Sequence, residues 1–261
     1  MADTGQSAAS ARPSLFEGAL RLAYGIYAWS LLALFALVAL PVLLLTPSLA
    51  RRRALVHTLA GGVLRLAGMR MQVRGLQRLE APCVAVANHA SYLDGVVLAA
   101  ALPPHFSFVI KREMASVPLA GTLLRRIGAE FVERRDRHGG ARDARRLLRT
   151  AAGGQALAFF PEGTFSAEVG LLQFHIGAFA AAARAGLAVV PVVIRGTRAC
   201  LPPDHLLPHP GPIGVEVLAP LPAGDPAALR DGARAALLAA LGEPDLAARA
   251  SAADHAPKPA T

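Results

Sequence analysis

From Leu22 to Ala50 the chain carries no charged residue, and the run is closed by Arg21 on one side and by Arg51, Arg52 and Arg53 on the other. About 20 apolar residues are enough to cross a hydrocarbon core. Tyr24, Tyr27 and Trp29 are residue types that settle at a membrane interface. The segment therefore reads as a membrane-anchoring helix. A cleaved leader fits less well, because the run is too long for a leader's apolar core and three arginines stand where a small-residue cleavage site belongs.

Arg51, Arg52, Arg53, Arg65, Arg70, Arg74 and Arg78 follow the run, whereas the preceding tail holds few charges. By the positive-inside rule this places the larger part of the chain on the cytoplasmic face of the membrane. The segment from Ala54 to Met69 is amphipathic; it either lies in the interface or packs on the soluble core, so a single span and a re-entrant hairpin both remain open.

The remainder is a globular domain. Hydrophobic residues make up 54% of the chain and charged ones 17%, too apolar for an ordinary soluble protein and too polar for one that spans a membrane many times. A net charge of +9 favours anionic partners. Nucleic acid is excluded from these by an aromatic content of 5% and the lack of any zinc-finger, RNP or basic-zipper pattern, which leaves lipid headgroups, phosphorylated substrates and acidic carrier proteins. Cys83 and Cys200 form no CxxC and read as small buried residues in a reducing compartment.

Short β-prone runs, "CVAVANH", "FSFVIK", "AEFVER", "QALAFFPEG", "AVVPVVIRG" and "IGVEVLAPL", alternate with helical ones, "SYLDGVVLAAAL", "PLAGTLLRRIG", "GGARDARRLLRTAAGG", "GAFAAAARAG" and "DPAALRDGARAALLAALG". The pattern predicts an α/β fold, a mixed β-sheet flanked by helices, behind the N-terminal anchoring helix. The expected organisation is a disordered tail over residues 1–13, a membrane-anchoring helical region over 14–70, the main domain over 71–246 and a second disordered tail over 247–261. Polar residues cluster where the strands end: Asn88 and His89, Lys111 and Arg112, Glu133 and Arg134, Glu162 and Thr164, Arg195 and Thr197. Ligands of open α/β sheets bind at the carboxyl ends of the strands, so these ends predict one shared cleft.

In "VAVANHASYLDG" a histidine and an aspartate follow a buried strand directly. Ser91 and Asp94 match a capping box, with the serine at N-cap and the acid at N3. With His89 in the loop before that cap and Asp94 in the first turn, the two side chains can meet. Asp94 can then hold one imidazole tautomer while the other ring nitrogen takes a proton from a hydroxyl. There is no Gly-x-Ser-x-Gly elbow, no HExxH and no phosphate-binding loop, so neither a serine nucleophile nor a metal is indicated.

"NHASYLD" resembles the NHx4D motif of the lysophospholipid acyltransferase family, which includes the 1-acylglycerol-3-phosphate acyltransferases. "GAEFVER", "FPEGTFS" and "VVPVVIRGT" follow in the family's order and resemble its later blocks. The resemblance implies transfer of a fatty acyl group from acyl-CoA or acyl carrier protein, as substrate and without a further cofactor, to the free hydroxyl of a lysophospholipid acceptor, within membrane lipid synthesis. His89 is then the general base and Asp94 its orienter. The oxyanion is expected at backbone N–H groups of the helix start after His89.

The same resemblance places acceptor binding at Glu162, Gly163 and Thr164 and headgroup binding at Arg134, with Lys111 or Arg195 as further cations. After Thr164 the family usually has arginine; here the residue is Phe165. This departure bears on the acceptor. 1-Acylglycerol-3-phosphate is the first expectation, another lysolipid such as a lyso-ornithine lipid the second, and a thioesterase or hydrolase using the same dyad on water the third. The basic cluster of Arg125, Arg126, Arg134, Arg135 and Arg137 offers a surface for CoA, a carrier protein or anionic lipid.

Overall fold

The computed structural model describes residues 15–80, 82–133, 146–151 and 153–249. The N-terminal tail, Arg134, Arg135, Arg137 and most of the C-terminal tail lie outside the described residues. Ala247, Ala248 and Arg249, expected in a disordered tail, are helical.

The uncharged run forms α1 (Leu15–Leu45), the one described helix long and apolar enough to cross a membrane by length and composition. It turns at residues 46–48 into α2 (Leu49–Leu66), whose first turn is capped by Ser48. The two helices run back along each other. Tyr24 Oη donates to the Ala67 carbonyl, Tyr27 Oη to that of Leu66 at 3.0 Å, and Phe35 lies over Gly62. At the other end Arg126 donates to the Leu43 and Leu44 carbonyls, a cation at a helix C-terminus where the backbone dipole favours it.

Helix α2 packs on the soluble core. Ala60 and Leu64 enter the core, and Arg53 is buried with its guanidinium on the carbonyls of Ile127, His105 and Gly128. Arg53 is therefore a packing residue rather than one of the loop cations that the positive-inside argument counted.

The sheet comprises β1 (Met69–Arg74), β2 (Cys83–Ala87), β3 (Ser107–Lys111), β4 (Glu130–Val132), β5 (Leu157–Phe159), β6 (Ala188–Arg195) and β7 (Gly211–Val217). Their order is β1-β7-β6-β2-β5-β3-β4, parallel throughout except where β6 meets β7. The mixed α/β class expected from the alternation is the one observed. Edge strand β1 was not read from the sequence, although Met69, Met71 and Val73 alternate there with Arg70, Gln72 and Arg74.

Strand β2 is apolar at every position because both its faces are covered. Cys83, Ala85 and Ala87 join a core with α2 and α3 (Asp94–Ala101); Val84 and Val86 join another with α5 (Gly177–Ala185) and α7 (Pro226–Leu241). Two further helices, α4 (Ala120–Arg126) and α6 (Thr197–Cys200), close the connections after β3 and β6. With β5 and β6 on either side of it, β2 delivers residues 88–94 to the middle of the sheet's carboxyl edge.

Candidate active site

The site is built outward from Asn88. Its side-chain amide donates to the Ile194 carbonyl at 2.9 Å and its oxygen accepts the Ile194 N–H at 2.7 Å. Asn88 thus continues the β2–β6 ladder with a side chain after the backbone has left it, and His89 emerges at a fixed point. The His89 N–H then donates to Glu162 Oε1 at 2.7 Å, and the other oxygen of Glu162 accepts the Leu172 N–H at 2.8 Å.

Glu162 is 2% exposed, with both carboxylate oxygens committed to backbone. It ties the ends of β2 and β5 and the loop before α5 together. Burial pushes its carboxyl up to about 7, reinforced by Asp94 and opposed by the two amide bonds and by Arg198.

His89 Nδ1 lies 2.8 Å from Asp94 Oδ2, and the same oxygen accepts the N–H groups of Ala90 at 2.6 Å and Ser91 at 2.8 Å. An oxygen that accepts two amides acts as an acceptor toward the ring as well. Nδ1 therefore carries a proton, and in the neutral imidazole the basic nitrogen is Nε2. Asp94 is fully buried, and its Oδ1 has no hydrogen-bond partner among the described residues. A desolvated carboxylate with one oxygen unspent stabilises an imidazolium as it forms.

The expected capping box is not formed: α3 starts at Asp94 with Leu93 at its N-cap and no side-chain cap, so Ser91 lies in the turn before the helix. The Ser91 amide still donates to Asp94, which therefore orders that turn as well as the imidazole. Ser91 Oγ accepts the Leu93 N–H at 3.2 Å and donates to the Leu201 carbonyl at 2.7 Å. The oxyanion expectation is corrected in part, since the Ala90 and Ser91 amides are spent on Asp94.

Two rings flank the imidazole and a third adjoins one of them. Phe160 stacks on His89 at 4.2 Å between centroids and Phe165 meets it edge-on at 4.5 Å. Tyr92 stands perpendicular to Phe165 at 4.8 Å. Phe165 is thus beside the candidate base. Only 18% of the His89 side chain is exposed.

The other expected site residues are dispersed. Gly163, at φ +73°, donates its N–H to the Phe160 carbonyl and turns the chain so that Thr164 is exposed beside Phe165. Lys111 is exposed at the end of β3, beyond β5 from β2. Arg195 pairs with Glu216 at 3.0 Å and donates to the Ala240 carbonyl, which ties the end of β6 to β7 and α7. Arg134 lies outside the described residues. Among the described residues no group of three or more His, Cys, Asp or Glu is placed to hold a metal ion.

Residues 70–195 match the family model described as Acyltransferase. A chloroplastic 1-acyl-sn-glycerol-3-phosphate acyltransferase of Arabidopsis thaliana is 33% identical over 136 residues, covering 51% of this chain and 38% of that protein. A 1-acyl-sn-glycerol-3-phosphate acyltransferase of Neisseria meningitidis is 34% identical over 147 residues, 56% of each. A lyso-ornithine lipid O-acyltransferase of Pseudomonas aeruginosa is 34% identical over 161 residues, 54% of this chain and 60% of that protein. The chain thus spans between 38% and 60% of the length of these three relatives. The crystal structure of the 1-acyl-sn-glycerophosphate acyltransferase of Thermotoga maritima superposes with a TM-score of 0.72 over 86% of this chain and 96% of that one; at 19% identity this likeness speaks for the fold.

Proposed function

We propose that the chain, whose residues 70–195 match the family model described as Acyltransferase, is a membrane-associated O-acyltransferase that moves a fatty acyl group from a thioester to the free hydroxyl of a lysophospholipid, in phospholipid synthesis. The observation that carries this reading is the His89–Asp94 pair at the carboxyl end of the central strand, with Nδ1 held at 2.8 Å, so that Nε2 is the ring nitrogen Asp94 does not engage.

In the proposed reaction the acceptor hydroxyl gives its proton to His89 Nε2 as its oxygen attacks the thioester carbonyl carbon. Asp94 stabilises the imidazolium so formed. The tetrahedral adduct collapses with cleavage of the C–S bond, and the leaving thiolate takes the proton back from His89. Ester and thiol are the products. Base assistance of this kind is worth about 10²- to 10⁴-fold in rate. The acceptor supplies the nucleophile, so the protein needs none of its own, and the donor, acyl-CoA or acyl carrier protein, is a substrate in either case.

1-Acylglycerol-3-phosphate is the proposed acceptor, supported by the names of two of the relatives above. A lysolipid without a phosphomonoester, as in the name of the Pseudomonas relative, is the second reading, and Phe165 at the place of the usual arginine favours it. The anchor is α1: its outward residues, among them Leu34, Leu37 and Val38, are exposed to the extent of 56%, 70% and 54%. The proposed orientation keeps the catalytic domain on the cytoplasmic face. Purified protein given a labelled acyl thioester with and without lysolipid tests the reading. Ester formed only with lysolipid supports it, and thiol release that ignores the acceptor identifies a hydrolase.

A further inference from the structure

Thr164 to Gly170, which follows the FPEGT block, makes no backbone–backbone hydrogen bond among the described residues. An exposed Arg249–Glu168 pair at 3.9 Å and a long bond from Ser166 Oγ to the Glu168 carbonyl at 3.4 Å touch its middle, but several of its carbonyls are gathered by one side chain, Arg198, just after the fourth block. Arg198 Nη1 donates to the carbonyls of Ser166 at 2.7 Å, Glu168 at 2.9 Å and, more weakly, Ala167 at 3.4 Å, while Nη2 stands 4.0 Å from Glu243. Arg198 is itself held in place. Gly196 takes φ +88°, and a Cβ there would fall 2.1 Å from the Pro212 carbonyl oxygen, so only glycine lets β6 turn into α6 at this point.

The segment that Arg198 holds begins at Phe165, whose ring lies against His89 and Tyr92. Water can replace the acceptor in the reaction proposed above. Its O–H proton passes to Nε2, its oxygen bonds to the acyl carbon, the C–S bond breaks, and a free fatty acid and a thiol result. The site must therefore admit a lysolipid hydroxyl to a base while keeping water from it. Aromatic rings around the imidazole do this only if they stay in place.

We infer that Arg198 is a positioning residue: by gripping the carbonyls of residues 166–168 it keeps Phe165 over His89 as a water-excluding cover, and so sets the partition between acyl transfer and thioester hydrolysis. The inference rests on the acyltransferase reading. The guanidinium suits the task because Nη1 gathers the carbonyls while Nη2, on the same rigid plane, faces Glu243, which a single ammonium nitrogen does not reproduce.

The test measures ester and total thiol produced by the full chain in phospholipid–detergent micelles, from an acyl thioester and the lysolipid that wild type uses best. Wild type, Arg198→Ala, Arg198→Lys, Phe165→Ala and the double alanine variant are compared, with thermal unfolding recorded for each. Arg198→Ala is expected to lower ester formation on the order of 10²-fold, the scale of a small misplacement at a reacting centre, while hydrolysis falls far less and its share of turnover rises about tenfold or more. Phe165→Ala should show the same rise with Arg198 still in place. The double variant should match Phe165→Ala alone, because both changes act through one ring, and Arg198→Lys should fall between. If Arg198→Ala does not fold, the lysine variant and Phe165→Ala decide. Ester and hydrolysis falling in equal proportion, or additive effects in the double variant, overturn the inference. Thiol release by wild type with no ester on any lysolipid instead overturns the acyltransferase reading, and the inference with it.

Discussion

Glu162 accepts the backbone N–H of His89 at 2.7 Å, so the position of the candidate base depends on a buried carboxyl that titrates near neutrality. Burial raises this group from 4.5 to about 7. Between those values the unfolded chain has released the proton and the folded chain keeps it. Stability from this group is therefore full below 4.5, falls as pH rises toward about 7, and is level above, with a total on the order of 3 kcal/mol. Chemical denaturation of wild type and Glu162→Gln at pH 5 and pH 8 should show wild type losing stability relative to the variant as pH rises. Parallel pH dependence in the two proteins contradicts the assignment.

Asp94→Asn keeps an oxygen for the three donors that converge on Oδ2 but removes the charge, and it puts an amide N–H₂ into the buried position where Oδ1 has no partner. Acyl transfer should fall roughly 10²- to 10⁴-fold. If Asp94 only ordered the turn before α3, the variant would lose about 1 kcal/mol of stability, as for a lost cap, and keep its activity. Turnover and unfolding measured on one preparation separate the two.

The acceptor depends on position 165. A phosphomonoester in a partly desolvated cleft needs a cation, and Phe165 provides none. Among the cations first considered, Arg195 is engaged by Glu216, which leaves Lys111 and Arg134. Arg134→Ala should raise KM for lysophosphatidate strongly and leave an uncharged acceptor nearly untouched, and Phe165→Arg should shift preference toward lysophosphatidate. Identical acceptor profiles in wild type and both variants contradict a headgroup role for either position.

Much of this was legible in the sequence. Four helices, residues 146–151 of a fifth, six strands, and the meeting of His89 with Asp94 in the turn before α3 follow from periodicity and from the spacing of one short stretch; residues 139–145 and 152 of that fifth run, "GGARDARRLLRTAAGG", lie outside the described residues. Strand β1 escaped because its three arginine or glutamine positions and three apolar ones were read as part of a basic flank. Arg53 looked like a juxtamembrane charge, since nothing local announces carbonyls supplied from residues 105, 127 and 128. The same holds for Arg198 and the 166–168 carbonyls, and for Glu162, whose two amide partners are 73 and 10 residues away in the chain. Long-range partners of a single side chain leave no periodic trace. A second phenylalanine in "AFFPEG" was the one local hint of the ring beneath His89.

If the outer face of α1 lies in lipid, a charge placed there should weaken binding without disturbing the buried face that holds Ala28, Ala39 and Leu43. Leu37→Asp, at a position 70% exposed, should reduce sedimentation with phospholipid vesicles by about 100-fold in partition coefficient, from a penalty near 2.5–3.5 kcal/mol at the centre of a helix. Undiminished binding by folded variant protein assigns the anchor elsewhere.

The general-base role of His89 is tested most directly by the single-turnover rate of ester formation for wild type and His89→Ala, with saturating acyl thioester and the lysolipid that wild type uses best, and with unfolding recorded on the same samples. The expected result is a fall of at least about 10²- to 10⁴-fold in protein that still unfolds cooperatively. Ester formation near the wild-type rate in that folded variant contradicts the account.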